Sequence, residues 1–362
     1  MKSRIFILSA FILISNIAFG QTLLNADLET DTYTLINSVF ANPNRNVVET
    51  PDCNHESFGD HITQEFDKEL KKNVFLFHIH VSPDNDRCKK FDRQRNEIKT
   101  YADSPENLKA NKGETVEYKW KFKLPKNFKP SSSFTHIHQI KSVGGSFASI
   151  PMISLTLRKA SPDRLELRYT PTNNQSTIET ANLDLLRGNW MEVTETIKFD
   201  DVGSYSIEIK NISNSQVVLN YSNSSIDMWQ DGAEFARPKW GIYRKLVDNN
   251  NVVLQDLQDE EVLFADFSIE EITSPLSVDD IKGKLENILL VPNPSSEIVT
   301  FKNANLETYD SVKLFNTFGK NIPVKKRLDK NTLKVSGLAK GLYFIVLEKQ
   351  NKTVKVLKCV VE

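Results

Sequence analysis

Between Gln21 and Thr273 apolar residues recur with a period of two in one segment after another, and this alternation limits the fold more than any other feature. The segments are Val74–Val81, Gln94–Thr100, Thr115–Leu124, Phe134–Lys141, Ile153–Lys159, Arg164–Tyr169, Trp190–Phe199, Ser204–Lys210, Gln216–Tyr221, Trp240–Arg244 and Val262–Ile269. Residues two apart in a strand share a face, so each segment reads as a strand with one side on a core. Turn-forming runs such as Asp248-Asn-Asn-Asn251 separate them and favour antiparallel pairing. Helical character is confined to a turn around Ile62–Leu70. The expected class is all-β: a two-sheet antiparallel jelly roll over residues 21–273, with a concave groove suited to an extended polymer.

The two ends differ from this middle. Lys2 and Arg4 precede an apolar run from Ile5 to Ile17, and Ala18-Phe19-Gly20 supplies small residues for cleavage. A membrane span needs about 20 apolar residues, so residues 1–20 read as a signal peptide, and no later stretch reads as a span. Export permits a disulfide. Of the three cysteines, Cys53 and Cys88 lie in one domain and Cys359 near the far end, so a Cys53–Cys88 bridge is expected, with a buried free thiol as the alternative. After a linker at 274–287, residues 288–362 change texture: Val291-Pro-Asn-Pro-Ser-Ser296, then Val312–Phe315, Gly337–Val346 and the spaced Lys352, Lys355 and Lys358. These are short strands between Pro/Asn and Gly turns, a small β-sandwich. The pattern resembles the C-terminal sorting domain of the type IX secretion system. That resemblance implies the secretion machinery as a partner and an extracellular or cell-surface destination. Phe301, Tyr309, Phe315, Phe318, Tyr343 and Phe344 read mostly as core there, not as a sugar-binding platform.

Forty-six basic residues against forty-seven acidic ones leave a net charge of −1, so no global field draws nucleic acid. A polyanion must therefore meet a local patch. Three constellations supply one. In Asp92-Arg-Gln-Arg-Asn-Glu-Ile-Lys99, alternation places Arg93, Arg95, Glu97 and Lys99 on one face. In Phe134-Thr-His-Ile-His-Gln-Ile-Lys141, it places Ile137, Gln139 and Lys141 on one face and His136, His138 and Ile140 on the other. In Pro238-Lys-Trp-Gly-Ile-Tyr-Arg-Lys245, it groups Lys239, Gly241 and Tyr243. The His78/His80 and His136/His138 pairs have ligand-like spacing, but spacing supplies no third zinc ligand, and packed or groove-lining histidines are favoured.

Together these blocks resemble the jelly-roll polysaccharide lyases, the group that includes alginate, glucuronan, ulvan and heparin lyases. Arg95, Glu97, Ile98 and Lys99 match its Arg-x-Glu-hydrophobic-basic strand, and Lys239, Gly241 and Tyr243 match its Lys-x-Gly-x-Tyr strand. Gln139 and Ile140 match its Gln-hydrophobic-His, with Lys141 standing where histidine is usual. The resemblance implies β-elimination, in which a uronate carboxylate is neutralised, a base removes the C5 proton and an acid protonates the leaving oxygen. Tyr243 is expected to serve as base and acid, helped by a nearby Lys239. Gln139, Arg95 and Lys141 are expected to neutralise the carboxylate, with Lys141 as base the alternative. Substrate contacts are expected from Arg95, Arg93, Glu97, Lys99, Lys239 and His138.

The further cations Arg244 and Lys245 suit sulfate as well as carboxylate, which favours ulvan over glucuronan or alginate. A non-catalytic polysaccharide-binding protein is the other class in view. A jelly-roll hydrolase needs paired carboxylates, and its Glu-x-Asp-x-x-Glu strand is not found in this sequence. The chemistry needs no cofactor. Phe264-Ala-Asp-Phe-Ser-Ile269 resembles a calcium-bearing final strand of related jelly rolls, so a structural calcium at Asp266 is one expectation and a backbone hydrogen bond the other. No nucleic acid, no membrane span and a monomer complete the expectations.

Overall fold

A computed structural model describes residues 20–272 and 288–362, apart from 304–305, 307–308, 318–319, 324–330 and 350–351. The expected signal peptide, Gly20 excepted, and the expected linker fall outside the described residues. The chain divides into two compact units, Met1–Thr273 and Ser274–Glu362.

Each alternating segment named above is a strand, and every strand ladder is antiparallel. One sheet of the first unit runs β13 (Val217–Ile226), β12 (Gly203–Asn211), β11 (Trp190–Lys198), β6 (Thr115–Lys123), β15 (Glu260–Glu271), β4 (Lys72–Ile79), β3 (Ile62–Asp67), with β1 (Thr22–Leu24) also on β15. The other runs β10 (Ser176–Asn182), β9 (Arg164–Tyr169), β8 (Ile153–Arg158), β7 (Thr135–Val143), β14 (Phe235–Lys245), β5 (Arg93–Lys99), β2 (Val48–Glu49). This is the all-β jelly roll that the alternation requires.

The inner faces of the two sheets make the core. Trp240 of β14 is fully buried, with ring centroids 5.9 Å from Trp120 of β6 and 5.2 Å from Phe267 of β15. Such rings dominate the apolar area removed from water, and truncating one costs about 3–5 kcal/mol. The α-helix α1 (Thr32–Phe40) adds Ile36 and Phe40 to this core, with Phe40 stacked 6.0 Å from Trp240. Asp31 caps it by accepting from the Thr34 amide, and Thr32, Ile36 and Phe40 form its buried face. At nine residues its pattern is too short to stand out in the sequence. The expected helical turn at Ile62–Leu70 is instead β3 and its hairpin to β4. Ile62–Asp67 pairs with Lys72–Phe77, so a ladder of cross-strand bonds replaces one isolated turn.

The second unit holds a three-stranded sheet (Leu289–Val291, Ile298–Lys302, Thr332–Lys334) and a four-stranded sheet (Asn321–Ile322, Ser311–Asn316, Gly341–Lys349, Lys352–Val361). Phe301, Leu314, Tyr343, Ile345 and Leu347 are among its buried residues, as are Val299 and the free Cys359. Phe318 lies outside the described residues. In the first unit Cys53 and Cys88 form the expected disulfide.

Gly241 is a point of close approach on β14. Its φ of +138° lies where side chains are strained, and an added Cβ would meet the Asn96 carbonyl oxygen and stand 2.7 Å from the Glu97 Cα. Gly241→Ala is therefore expected to lose on the order of 3 kcal/mol in urea denaturation. An unchanged midpoint would show that β5 and β14 separate easily here.

Candidate active site

On the outer face of the seven-stranded sheet, register decides which side chains meet. Tyr243 pairs with Arg95 on one side and His136 on the other, and the row continues through Thr156 to Glu166. A second row runs Lys99, Lys239, Gln139, Ser154, Arg168. A third sets Arg237 beside Lys141. Neighbouring strands lie about 4.8 Å apart, so each row is a track across the sheet rather than along one strand.

Glu97 ties the central strands together. It is 1% exposed, and its oxygens accept from Gln139 Nε2, Arg95 Nη1 and Lys239 Nζ. Burial alone would raise its carboxyl, but Lys239 and Arg95 outweigh burial and hold it at about 2. Glu49 of β2 takes Lys239, Lys99 and Arg87. Asp86 takes Arg95 Nε at 2.9 Å, and Asp92 takes Arg93 and Lys245.

Tyr243 sits within this lattice, 9% exposed. Arg93 Nη1 donates to its Oη at 2.9 Å, and the Arg95 guanidinium carbon stands 3.6 Å from its ring centroid. Negative charge appearing on the phenol would thus arise against two guanidinium groups.

Two cations of this face pair with no carboxylate among the described residues. Lys141 Nζ donates to the Ser149 carbonyl oxygen at 2.9 Å. Arg237 is 7% exposed; its Nε and Nη1 find no hydrogen-bond acceptor, and its guanidinium lies 4.9 Å from the Tyr101 ring centroid. Burial first, and then Lys239, Arg237 and Arg95, lower Lys141 to about 7. Lys141 can therefore exchange a proton near neutral pH. Burial also takes His136 down to about 3, which keeps its ring neutral.

Several expected roles change. His138 does not line the groove: it is fully buried between the sheets, 2.9 Å from Glu195 and 4.3 Å between ring centroids from Trp120. The cause is a bulge at Ile137, opposite which β8 supplies no residue, so strict alternation fails and His136 joins Gln139 and Lys141 outside. Glu97 and Lys239 are ion-paired with each other, and Lys239 with Glu49 as well, so their charges are neutralised within the face. The cation on the phenol is Arg93, not Lys239. Lys99 is held by Glu49, and Arg244 points inward to Gln94 and the Gln258 carbonyl. Arg93, Arg95, Gln139, Lys141 and Tyr243 do come together. Arg237 is a gain of the structure, although it shares the parity of Lys239 and Tyr243. Glu49 carried no sequence signal, because its partners come from other segments; Asp86 and Asp92 bond the adjacent Arg87 and Arg93 and, through the fold, Arg95 and Lys245.

Asp266 lies at φ +55° and is bound by Lys72 and by Lys121 Nζ at 2.6 Å. Two ammonium groups neutralise the carboxylate and repel a divalent ion, so these residues do not fit calcium. His78 Nε2 lies 2.9 Å from the Thr63 hydroxyl and its Nδ1 3.3 Å from Glu261, while its ring shares Phe58 with His80.

Residues 42–267 match the family described as "Polysaccharide lyase". Residues 290–362 match the "Secretion system C-terminal sorting domain", which marks the protein for type IX secretion to the extracellular space or cell surface. No helix among the described residues is long and apolar enough to cross a membrane. No curated protein matches the chain in sequence. Among solved structures, the endo-β-1,4-glucuronan lyase of the fungus Trichoderma reesei is 14% identical, with 57% of this chain and 85% of that one covered at a TM-score of 0.42. The PL-14 alginate lyase of Aplysia kurodai is 15% identical, with 69% and 98% covered at a TM-score of 0.44.

Glu97→Gln keeps the shape of the anchor and removes its charge. It leaves two buried cations short of a partner, so a loss of about 3–5 kcal/mol is expected in urea denaturation. The folded value of about 2 lies below the ordinary 4.5. The Glu97 contribution is therefore complete above pH 4.5 and is lost as pH falls toward 2. A variant as stable as the parent across that range would remove Glu97 as the anchor.

Proposed function

The chain belongs to the polysaccharide lyase family, and from that premise we propose that it cleaves ulvan by β-elimination between sulfated rhamnose and glucuronic or iduronic acid. The observation carrying this reading is the surplus of cations over carboxylates on the outer face. Asp92 is shared by Arg93 and Lys245, Glu49 by four cations, and Lys141 and Arg237 have no acidic partner among the described residues. One uronate carboxylate needs one or two of these charges. The remainder suit a sulfate ester, which arginine can pair bidentately.

In the chemistry we assign, Arg237 and Gln139 hold the uronate carboxylate and stabilise the enolate-like charge that grows on it. Lys141 takes the C5 proton. The C4–O bond breaks, C4 and C5 become doubly bonded, and Tyr243 gives its proton to the departing oxygen. Arg93 and Arg95 then face the phenolate that results. The sequence alone favours Tyr243 in both roles. The division of labour follows from Arg237, which supplies the neutralising cation, and from a Lys141 near 7 that can lose its proton.

A carboxylate-only substrate such as glucuronan or alginate is favoured by one contrary feature, namely that Lys99 and Lys239 are already bound to glutamates. Purified protein offered ulvan, glucuronan, alginate and heparin separately settles this. The ultraviolet absorbance of an unsaturated uronic end is expected to rise on ulvan. A rise on glucuronan or alginate alone keeps the mechanism and removes the sulfate reading.

Tyr243→Phe is expected to lower the rate about 10²–10⁴-fold while polysaccharide binding persists. With Lys141 as base, kcat/KM rises as pH passes upward through about 7, because the neutral amine is the active form. A kcat/KM that falls through that range would return Lys141 to carboxylate neutralisation.

A further inference from the structure

A second cluster of titratable groups lies apart from Tyr243, Gln139 and Lys141, on the two segments joined by the Cys53–Cys88 bridge. One nitrogen each of His55, His61 and His80 and the carboxylate of Asp84 converge, all within 4.8 Å of one another. Asp84 Oδ1 stands 2.8 Å from His55 Nδ1 and 3.2 Å from His61 Nε2, while Oδ2 stands 3.1 Å from His80 Nδ1. His61 and Asp84 are buried, and His55 and His80 keep an edge to solvent. Phe58 packs its ring against all three imidazoles.

The surroundings of His61 give this cluster a direction. Its Nδ1 lies 2.7 Å from Asp52 Oδ1, and the other Asp52 oxygen accepts from the Tyr33 and Thr50 hydroxyls. A carboxylate only accepts, so Nδ1 carries the proton there and Nε2 is left facing Asp84. Lone pair would then meet lone pair unless a second proton on Nε2 or a metal ion lies between them. A carboxylate behind a histidine is also the arrangement that orients a metal-bound imidazole and fixes its tautomer.

We propose that His55, His61, His80 and Asp84 form a closed, four-ligand site for a divalent transition ion of the zinc class. Three imidazole nitrogens and one carboxylate oxygen suit tetrahedral zinc, whereas calcium and magnesium take oxygen ligands. Four protein ligands leave no open position for a reacting water, so the role is structural. Its effect reaches the groove through a short path. Asp84 is two residues from Asp86, which holds Arg95 Nε, and the Gln94 amide donates to the Asp84 and His80 carbonyls. The ion fixes the segment that aims Arg95 at the Tyr243 ring.

The test uses the full chain with its disulfide intact, stripped by a chelator and dialysed against zinc or cobalt(II). One metal per chain is expected by elemental mass spectrometry, with the intense visible absorption of tetrahedral cobalt. His55→Gln and His80→Gln are expected to lose the metal, and since both sit at the exposed edge, each reports if the other misfolds. His78→Gln, whose ring bonds Thr63, keeps it. Asp52→Asn weakens zinc by roughly 10–100-fold. A folded parent that retains no stoichiometric zinc overturns the proposal. So does a folded His55→Gln, His80→Gln double variant that still holds one equivalent.

Discussion

A single buried carboxylate holds the outer face together. Glu97 accepts from Gln139 on β7, from Lys239 on β14 and from its strand neighbour Arg95, so one side chain cross-links three adjacent strands. Cations gathered at this density repel one another, and without Glu97 and Glu49 the face would resist folding. With them, the repulsion is reduced but not cancelled. What remains is directed outward, where an anionic chain can complete it. The field that lowers Lys141 comes from the same lattice, since Lys239, Arg237 and Arg95 are the cations acting on it.

The stability of the face and its reactivity are therefore one arrangement. A lysine near 7 needs burial and like charges beside it, and those conditions are tolerable only where acidic partners absorb most of the cost. Arg95 shows the coupling most directly. Its guanidinium is bound by Asp86 and Glu97, and its carbon still stands 3.6 Å from the Tyr243 ring centroid.

Much of this was legible in the sequence. Alternation located the long strands of both large sheets except β3, read as a helical turn, and β10, because period two survives wherever one face is buried. Arg93, Arg95, Gln139, Lys141 and Tyr243 were readable as one group from their spacing and their resemblance to known lyases. Parity fails where the ladders bulge: at Ile137, where His138 turns inward and His136 outward, and on β15, where Phe264 and Phe267 both reach the core although they are three residues apart. A bulge leaves no mark in composition, so the fate of both histidines needed coordinates. Arg237 was missed although its parity was right, because its importance lies in lacking an acidic partner. Which cations are neutralised depends on Glu49, Asp86 and Asp92, brought in by chain segments distant in sequence or by loops. The histidine cluster was hidden for the same reason: His80 is joined by His55, His61 and Asp84 only after folding.

The rows crossing the sheet separate two kinds of heredity. Arg95, Tyr243, Gln139, Lys141 and Arg237 lie on β5, β14 and β7, where Glu97 makes each position depend on the others. The far ends of the same rows, Ser154, Thr156, Glu166 and Arg168, lie on β8 and β9 and take no part in that lattice. On the proposed reading, substitutions on the outer faces of β8 and β9 would change which sugars are held at a distance from the broken bond and leave the proposed chemistry in place, while Leu155, Leu157, Leu165 and Leu167 of the same strands stay fixed in the core.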